Sequence, residues 1–113
     1  MPQQFEAHVP PELADLVPEF LRNRQKQLEE LRRAVQAQDF QQLREQANSM
    51  IGVGKPYGFP EVSALGKRID SSARERDAAT AADLVELYGY YLEHVRVNLP
   101  DPGEPADLKP AMA

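Results

Sequence analysis

A break at Gly54, Pro56 and Gly58 separates two helical patterns and constrains the fold of this chain more than any other feature. Before the break, the predicted core positions recur at helical spacing: Phe40, Leu43, Ala47, Met50 and Ile51. After it, a helix is predicted from near Pro60, where proline suits the first turn, to near Asp77. Its core positions are Val62, Leu65, Ile69 and Ala73. Two amphipathic helices therefore meet at this corner.

Two further helices are predicted on the N-terminal side. Proline and acidic residues after Pro10 suit the start of a short first helix, which Pro18 interrupts after less than three turns. A second helix then runs from about Pro18 to about Gln38. Its core-facing stripe comprises Leu21, Arg24, Leu28, Leu31 and Val35. Asp39 is suited to the N-cap position of the next helix, and this short connection makes the two long helices antiparallel neighbours.

The last predicted helix starts after Thr80, which suits the N-cap position, and closes at Leu99 and Pro100. Its predicted apolar face comprises Leu84, Leu87, Tyr88, Tyr91, Leu92 and Val95. No segment alternates with period 2 for long enough to predict a strand. Four long helices joined by short turns predict an all-α fold, an antiparallel up-and-down four-helix bundle with a short N-terminal helix.

The 113 residues suffice for one domain. We expect residues 1–9, which show no period, to form a flexible lead-in, and residues 10–99 to form the helical bundle. Residues 100–113 are rich in proline, glycine, alanine and acidic residues, so we expect a disordered tail.

Charge and composition exclude several classes of function. A net charge of -5 and a pI near 5.0 argue against a nucleic-acid-binding protein. The chain has no cysteine, and its two histidines are too far apart in sequence to suggest a metal site, so we expect no metal and no cofactor. No apolar run approaches the roughly 18 residues that a membrane span needs, and no secretory signal is recognisable. We therefore expect a cytoplasmic protein that contacts neither a membrane nor nucleic acid.

The residues around the break follow a recognisable motif. The chain reads Asn48-Ser49-Met50-Ile51-Gly52, then five residues, then Gly58, and then a helix whose apolar positions end beside Asp70. This pattern resembles the bacterial histidine-phosphotransfer (HPt) domains of two-component phosphorelays. Their motif has an exposed histidine, one spacer, a hydrophobic residue, a lysine, a glycine, five variable residues and a second glycine. The resemblance covers roughly residues 12 to 97 and implies a helical bundle that acts in a phosphorelay.

Two positions depart from the motif of the family. Asn48 stands where the resemblance places the phosphoacceptor histidine, and Ile51 stands where it places the lysine. An imidazole nitrogen can attack a phosphoryl group, whereas the lone pair of an amide nitrogen is delocalised into the carbonyl. Losing the lysine also removes a positive charge that would balance the phosphoryl oxygens. We therefore expect no catalytic residue in this chain.

The docking features of the motif are retained. Gly52 presents no side chain beside Asn48, and Arg44 lies one helical turn before Asn48 on the same shoulder of the helix. Lys55 either replaces some of the missing charge or is a solvated lysine at a helix end. The resemblance implies that Arg44, Asn48, Ile51, Gly52 and Lys55 contact the receiver domain of a response regulator or a histidine kinase.

Three functions remain open at this point. The first is an HPt-like domain that binds a receiver or a kinase without accepting phosphate. The second is phosphotransfer through another residue, such as His94. The third is a helical adaptor that acts outside two-component signalling. The sequence leaves the identity of the partner and the oligomeric state open.

Overall fold

The structure is a computed structural model that describes residues 5–98. Its helices are α1 (Val17–Ala37), α2 (Phe40–Gly54), α3 (Pro60–Arg74) and α4 (Ala78–His94). Short 3-10 segments, Pro11–Leu16 and Lys55–Tyr57, precede α1 and follow α2. Both α1 and α3 pack against α2 and α4, so the four helices enclose one core. The predicted all-α helical bundle is confirmed.

The core follows the predicted apolar stripes, with one exception on α4. Its largest fully buried side chains are Tyr88, Tyr91, Phe59, Leu31, Leu43, Met50, Ile69, Val62 and Val85. Leu87, which we predicted on the apolar face of α4, is instead 36% exposed. At about 100° per residue, Leu87 lies well outside the arc centred on Tyr88 and Leu92. The prediction for Leu87 is therefore wrong.

Polar side chains also lie inside the bundle. The Tyr88 hydroxyl donates a hydrogen bond of 3.1 Å to Gln27 Oε1, and Gln27 Nε2 donates one of 3.3 Å to the Gln46 carbonyl. Arg24, predicted on the stripe of α1, is buried with its guanidinium carbon 5.1 Å from the centre of the Phe20 ring. Burial raises the pKa of the Tyr88 phenol, so the hydroxyl stays neutral and able to donate. These bonds link α1 to both α4 and α2.

Side-chain caps define the starts of α2 and α4. Asp39 caps α2 as predicted, since its carboxylate accepts a bond of 3.1 Å from the Gln42 backbone N–H. The predicted cap of α4 at Thr80 is wrong. Asp77 accepts bonds from both the backbone N–H of Thr80, at 3.1 Å, and its hydroxyl, at 2.7 Å. A carboxylate is the stronger acceptor for these donors, so α4 begins three residues earlier than a Thr80 cap would allow.

Two short strands join the two ends of the described chain, and the sequence did not predict them. Strand β1 (Glu6–His8) pairs in parallel with β2 (Arg96–Asn98). Ala7 is fully buried and Val9 is 5% exposed. The predicted flexible lead-in is therefore wrong for residues 5–9, and α4 ends at His94 instead of continuing to Leu99. Residues 1–4 and the predicted tail, 100–113, lie outside the described residues.

Among residues 5–98, no helix combines the length and the apolar character that a membrane span requires.

Candidate functional site

The pairing of α2 with α3 sets the orientation of Asn48. Apolar residues on the inner face of each helix are buried: Leu43, Ala47 and Met50 on α2, and Val62, Leu65 and Ile69 on α3. Asn48 follows the fully buried Ala47, which places it at the shoulder of α2, where it is exposed. The predicted exposure of Asn48 is thus confirmed, and its amide is open to a partner.

The surface beside Asn48 is open one turn further along α2. Gly52 is exposed, and an added Cβ would meet no heavy atom of the described residues within 4 Å. Arg44, one turn before Asn48, is also exposed, whereas Ile51 is half-buried at the edge of the core. Lys55 is exposed and begins the 3-10 segment that follows α2. The five residues predicted to bind a partner therefore include four exposed positions and one at the border of the core.

The turn after Gly52 is tightly packed. Phe59 is fully buried, and its ring stacks on Phe20 with ring centres 4.7 Å apart. The hydroxyl of Ser63, on α3, accepts a bond of 2.8 Å from the Lys55 N–H and donates one of 3.0 Å to the Ile51 carbonyl. Gly58 adopts a left-handed conformation with φ of 91° and closes the 3-10 segment. This turn holds the end of α2 against the start of α3.

A groove runs along the other side of Asn48, between α2 and the C-terminal half of α3. Its volume is about 520 Å³, and we call it the arginine groove. The lining residues are Phe40, Gln41, Arg44, Glu45, Asn48, Ala73, Arg74 and Arg76. The sequence predicted that Arg74 and Arg76 point away from the core, but it did not bring them to Asn48. The only sequence signal was the antiparallel pairing of α2 and α3, which places the end of α3 beside the start of α2.

Asp70, on α3, links two arginines of the groove. Its carboxylate accepts a bond of 3.1 Å from Arg44 Nε and one of 2.9 Å from Arg74 Nε. The Asp70 side chain is 13% exposed, whereas those of Arg44 and Arg74 are 45% and 62% exposed. Exposed ion pairs contribute little to stability, so this arrangement matters mainly for the orientation of the guanidinium groups. At the edge of the groove, the Arg76 guanidinium carbon lies 4.8 Å from the centre of the Phe40 ring.

His94, the alternative phosphate acceptor, is exposed at the last turn of α4. Its ring stacks on Tyr90 with centres 4.0 Å apart, and Nδ1 lies 2.8 Å from the Tyr90 carbonyl oxygen. When His94 Nδ1 carries its proton, it donates this bond, which leaves Nε2 as the free ring nitrogen. Tyr90 is 41% exposed, as predicted, so both rings belong to the surface of α4. His94 does not line the arginine groove.

The part of the chain that the structure describes contains no cluster of three or more His, Asp or Glu side chains placed to hold a metal ion.

Comparison with known proteins identifies one family. The sequence model of that family, described as the Hpt domain, matches residues 15–98, which include Asn48, Gly52 and Gly58. No curated protein and no solved structure matches the chain. HPt domains carry phosphoryl groups in two-component phosphorelays, where they interact with receiver domains or histidine kinases. The match extends over most of the 113 residues and agrees with the helical bundle, so this chain belongs to the HPt domain family.

Proposed function

We propose that this HPt domain binds the receiver domain of a response regulator, or a histidine kinase, without accepting a phosphoryl group. The observation that carries the proposal is the exposed Asn48 at the phosphoacceptor position. A carboxamide offers a hydrogen-bond donor and an acceptor but no nucleophilic lone pair on nitrogen. The domain therefore presents the docking position of an HPt domain without its chemistry.

The surface around Asn48 supports docking. The open space beside Gly52 lets a partner approach the backbone of α2, and Arg44 supplies a positive charge one turn away. Ile51 adds partly exposed apolar area where the family places a lysine. Together these residues form a face with little side-chain bulk at its centre and charge at its edge. A domain of this kind sequesters a receiver, competes with an active HPt domain, or modulates a kinase.

A binding screen against the receiver and kinase domains of the same organism tests the partner. We expect at least one receiver or kinase to bind the wild type. The variant Gly52→Arg should weaken this binding at least tenfold, since a long charged side chain would fill the open surface. The fold should persist because an added Cβ at Gly52 meets no neighbour. Gln36→Arg is a matched control, since Gln36 is exposed and lies against α4, beside Ala82 and Val85, away from the arginine groove.

The outcomes of this screen are distinct. Binding that Gly52→Arg weakens and Gln36→Arg preserves supports the proposed face. Equal binding by both variants removes Gly52 from the interface. If neither a receiver nor a kinase binds, the proposal fails, and an adaptor outside two-component signalling becomes the better account.

Transfer from a phosphorylated receiver tests the loss of chemistry. We expect no acid-labile label on the wild type and measurable label on Asn48→His, because the histidine restores a nucleophile at an exposed position. Adding Ile51→Lys should accelerate labelling, since it restores the positive charge that the family motif supplies. Label on the wild type that disappears in His94→Gln would contradict the proposal and assign phosphotransfer to His94.

A further inference from the structure

The arginine groove carries a local positive charge in a chain whose net charge is -5. Arg44, Arg74 and Arg76 line it together with Glu45. A net positive charge remains even when Asp70, which Arg44 and Arg74 share, is counted with Glu45. A concave site with one excess sign of charge concentrates ligands of the opposite sign. The groove is therefore suited to an anion.

The ion pairs at Asp70 leave the anion-binding ends of two guanidinium groups unused. Both bonds to Asp70 involve Nε, so neither uses a terminal Nη atom of Arg44 or Arg74. The Nη atoms of arginine match the oxygens of carboxylate and phosphate in paired hydrogen bonds. Asp70, with its side chain only 13% exposed, thus acts as a positioning residue that fixes two exposed arginines from below.

Asn48 adds a neutral donor to this positively charged wall. Its carboxamide lines the same groove, and its NH₂ group can donate to an oxygen without carrying a charge. A phosphoryl group has three oxygens and close to two negative charges near pH 7. A volume of about 520 Å³ holds such a group together with the side chain that carries it. Asparagine at this position therefore contributes a hydrogen bond to a phosphoryl group that it cannot accept covalently.

We propose that the arginine groove binds the phosphoryl group carried by a receiver domain, so that this HPt domain prefers the phosphorylated receiver. The inference rests on the proposed function and adds the state of the partner that is recognised. No bond to phosphorus forms or breaks, since the guanidinium and amide groups only donate hydrogen bonds. The domain then withholds the phosphorylated receiver from other partners.

Calorimetric titration with a receiver domain, in the presence and absence of beryllofluoride as a mimic of the phosphoryl group, tests the preference. We expect the wild type to bind the beryllofluoride form about tenfold more tightly. Arg44→Gln and Arg74→Gln should reduce this ratio towards one. Arg68→Gln is the matched control, because Arg68 is an exposed arginine of α3 that does not line the groove, and its ratio should stay unchanged.

The result also separates this inference from the function on which it rests. Equal affinity of the wild type for both forms overturns the preference but leaves receiver binding intact. Absence of binding to either form overturns both. A fall in the ratio that Arg68→Gln shares with the groove variants would indicate general surface charge and would also overturn the assignment.

The variant Asp70→Asn distinguishes positioning from net charge. Removing a negative charge would raise the preference for the phosphorylated form if charge alone mattered. Loss of the bonds to Arg44 Nε and Arg74 Nε should instead lower it, and Asp70→Glu should restore part of the ratio. An increase in Asp70→Asn would overturn the positioning role of Asp70.

A small-molecule titration tests the groove without a receiver. Methylphosphonate should shift the NMR signals of the Nε–H groups of Arg44 and Arg74 and of the Asn48 NH₂ group, and these shifts should saturate. Acetate at the same ionic strength should shift them less. Shifts of equal size with both anions, or shifts shared with Arg68, would show only screening of surface charge and would overturn the groove as a phosphoryl site.

Discussion

Gly52 and Gly54 lie within one turn of α2, but their surroundings differ. An added Cβ at Gly52 would meet nothing among the described residues within 4 Å. At Gly54 it would lie 2.5 Å from Ser63 N and 2.7 Å from the Phe59 carbonyl oxygen. One glycine leaves space for a partner, whereas the other lets the protein pack on itself. The docking face and the turn beneath it therefore use the same residue type for opposite purposes.

The substitution Gly54→Ala should give the largest effect and would break the comparison if it did not. The added methyl group overlaps backbone atoms of Phe59 and Ser63, which cannot move without shifting the start of α3. We expect a loss of about 3 kcal/mol in the free energy of unfolding, at the upper end of the cost of overpacking. Urea denaturation measures this loss. A loss below about 1 kcal/mol would show that the turn yields easily.

Gly58→Ala should have the next largest effect. Gly58 has φ of 91°, and an added Cβ would contact the His8 carbonyl next to β1. The left-handed conformation alone costs alanine about 1–2 kcal/mol, so we expect a total loss of about 2 kcal/mol or slightly more. Urea denaturation gives the total. Faster hydrogen exchange of the Val9 amide, which donates to the Asn98 carbonyl, would show that β1 moves as well.

Ser63→Ala tests the turn without adding volume. It removes the bonds of the Ser63 hydroxyl to the Lys55 N–H and the Ile51 carbonyl. We expect a loss of about 1.5 kcal/mol, because two backbone groups lose their partner in a partly buried site. Ser71→Ala is the control on the same helix, since Ser71 is exposed, and its stability should be unchanged. Equal losses in both variants would argue against a special role for the bridge.

Gly52→Ala should have the smallest effect and the opposite sign. Alanine is favoured over glycine inside a helix by about 1 kcal/mol, and nothing obstructs its methyl group. We therefore expect the free energy of unfolding to rise by about 0.5–1 kcal/mol. A destabilised Gly52→Ala would show that Gly52 serves the fold, and the comparison with Gly54 would fail.

Periodicity predicted those parts of the fold that depend on neighbouring residues. The helices α2 and α3 bury the apolar positions expected from the sequence, because a helix exposes one face at a fixed interval. The Asp39 cap was predictable for the same reason, since its donor, the Gln42 N–H, is three residues away. The exposure of Asn48 followed from its place beside the buried Ala47. The family motif then gave this exposed position its meaning.

Contacts between segments that are distant in sequence were beyond prediction. Strands β1 and β2 are too short to show a period of 2, and each depends on a partner at the other end of the chain. The arginine groove forms because Asp70 holds Arg44 of α2 beside Arg74 of α3, an arrangement with no signature in either helix alone. At the start of α4, Asp77 and Thr80 both suit an N-cap, and sequence preference did not rank them.

The pairing of β1 with β2 has a consequence for the connectivity of the fold. Glu6 is the register partner of Arg96, and paired strands run about 4.8 Å apart, so the described backbone forms a nearly closed ring. A short linker between Asn98 and Glu6 would complete the circle, and new termini could be opened between Gln38 and Asp39. Such a circular permutant would start at α2 with its cap intact. The anion-binding groove would thus be encoded within the first half of the rearranged gene.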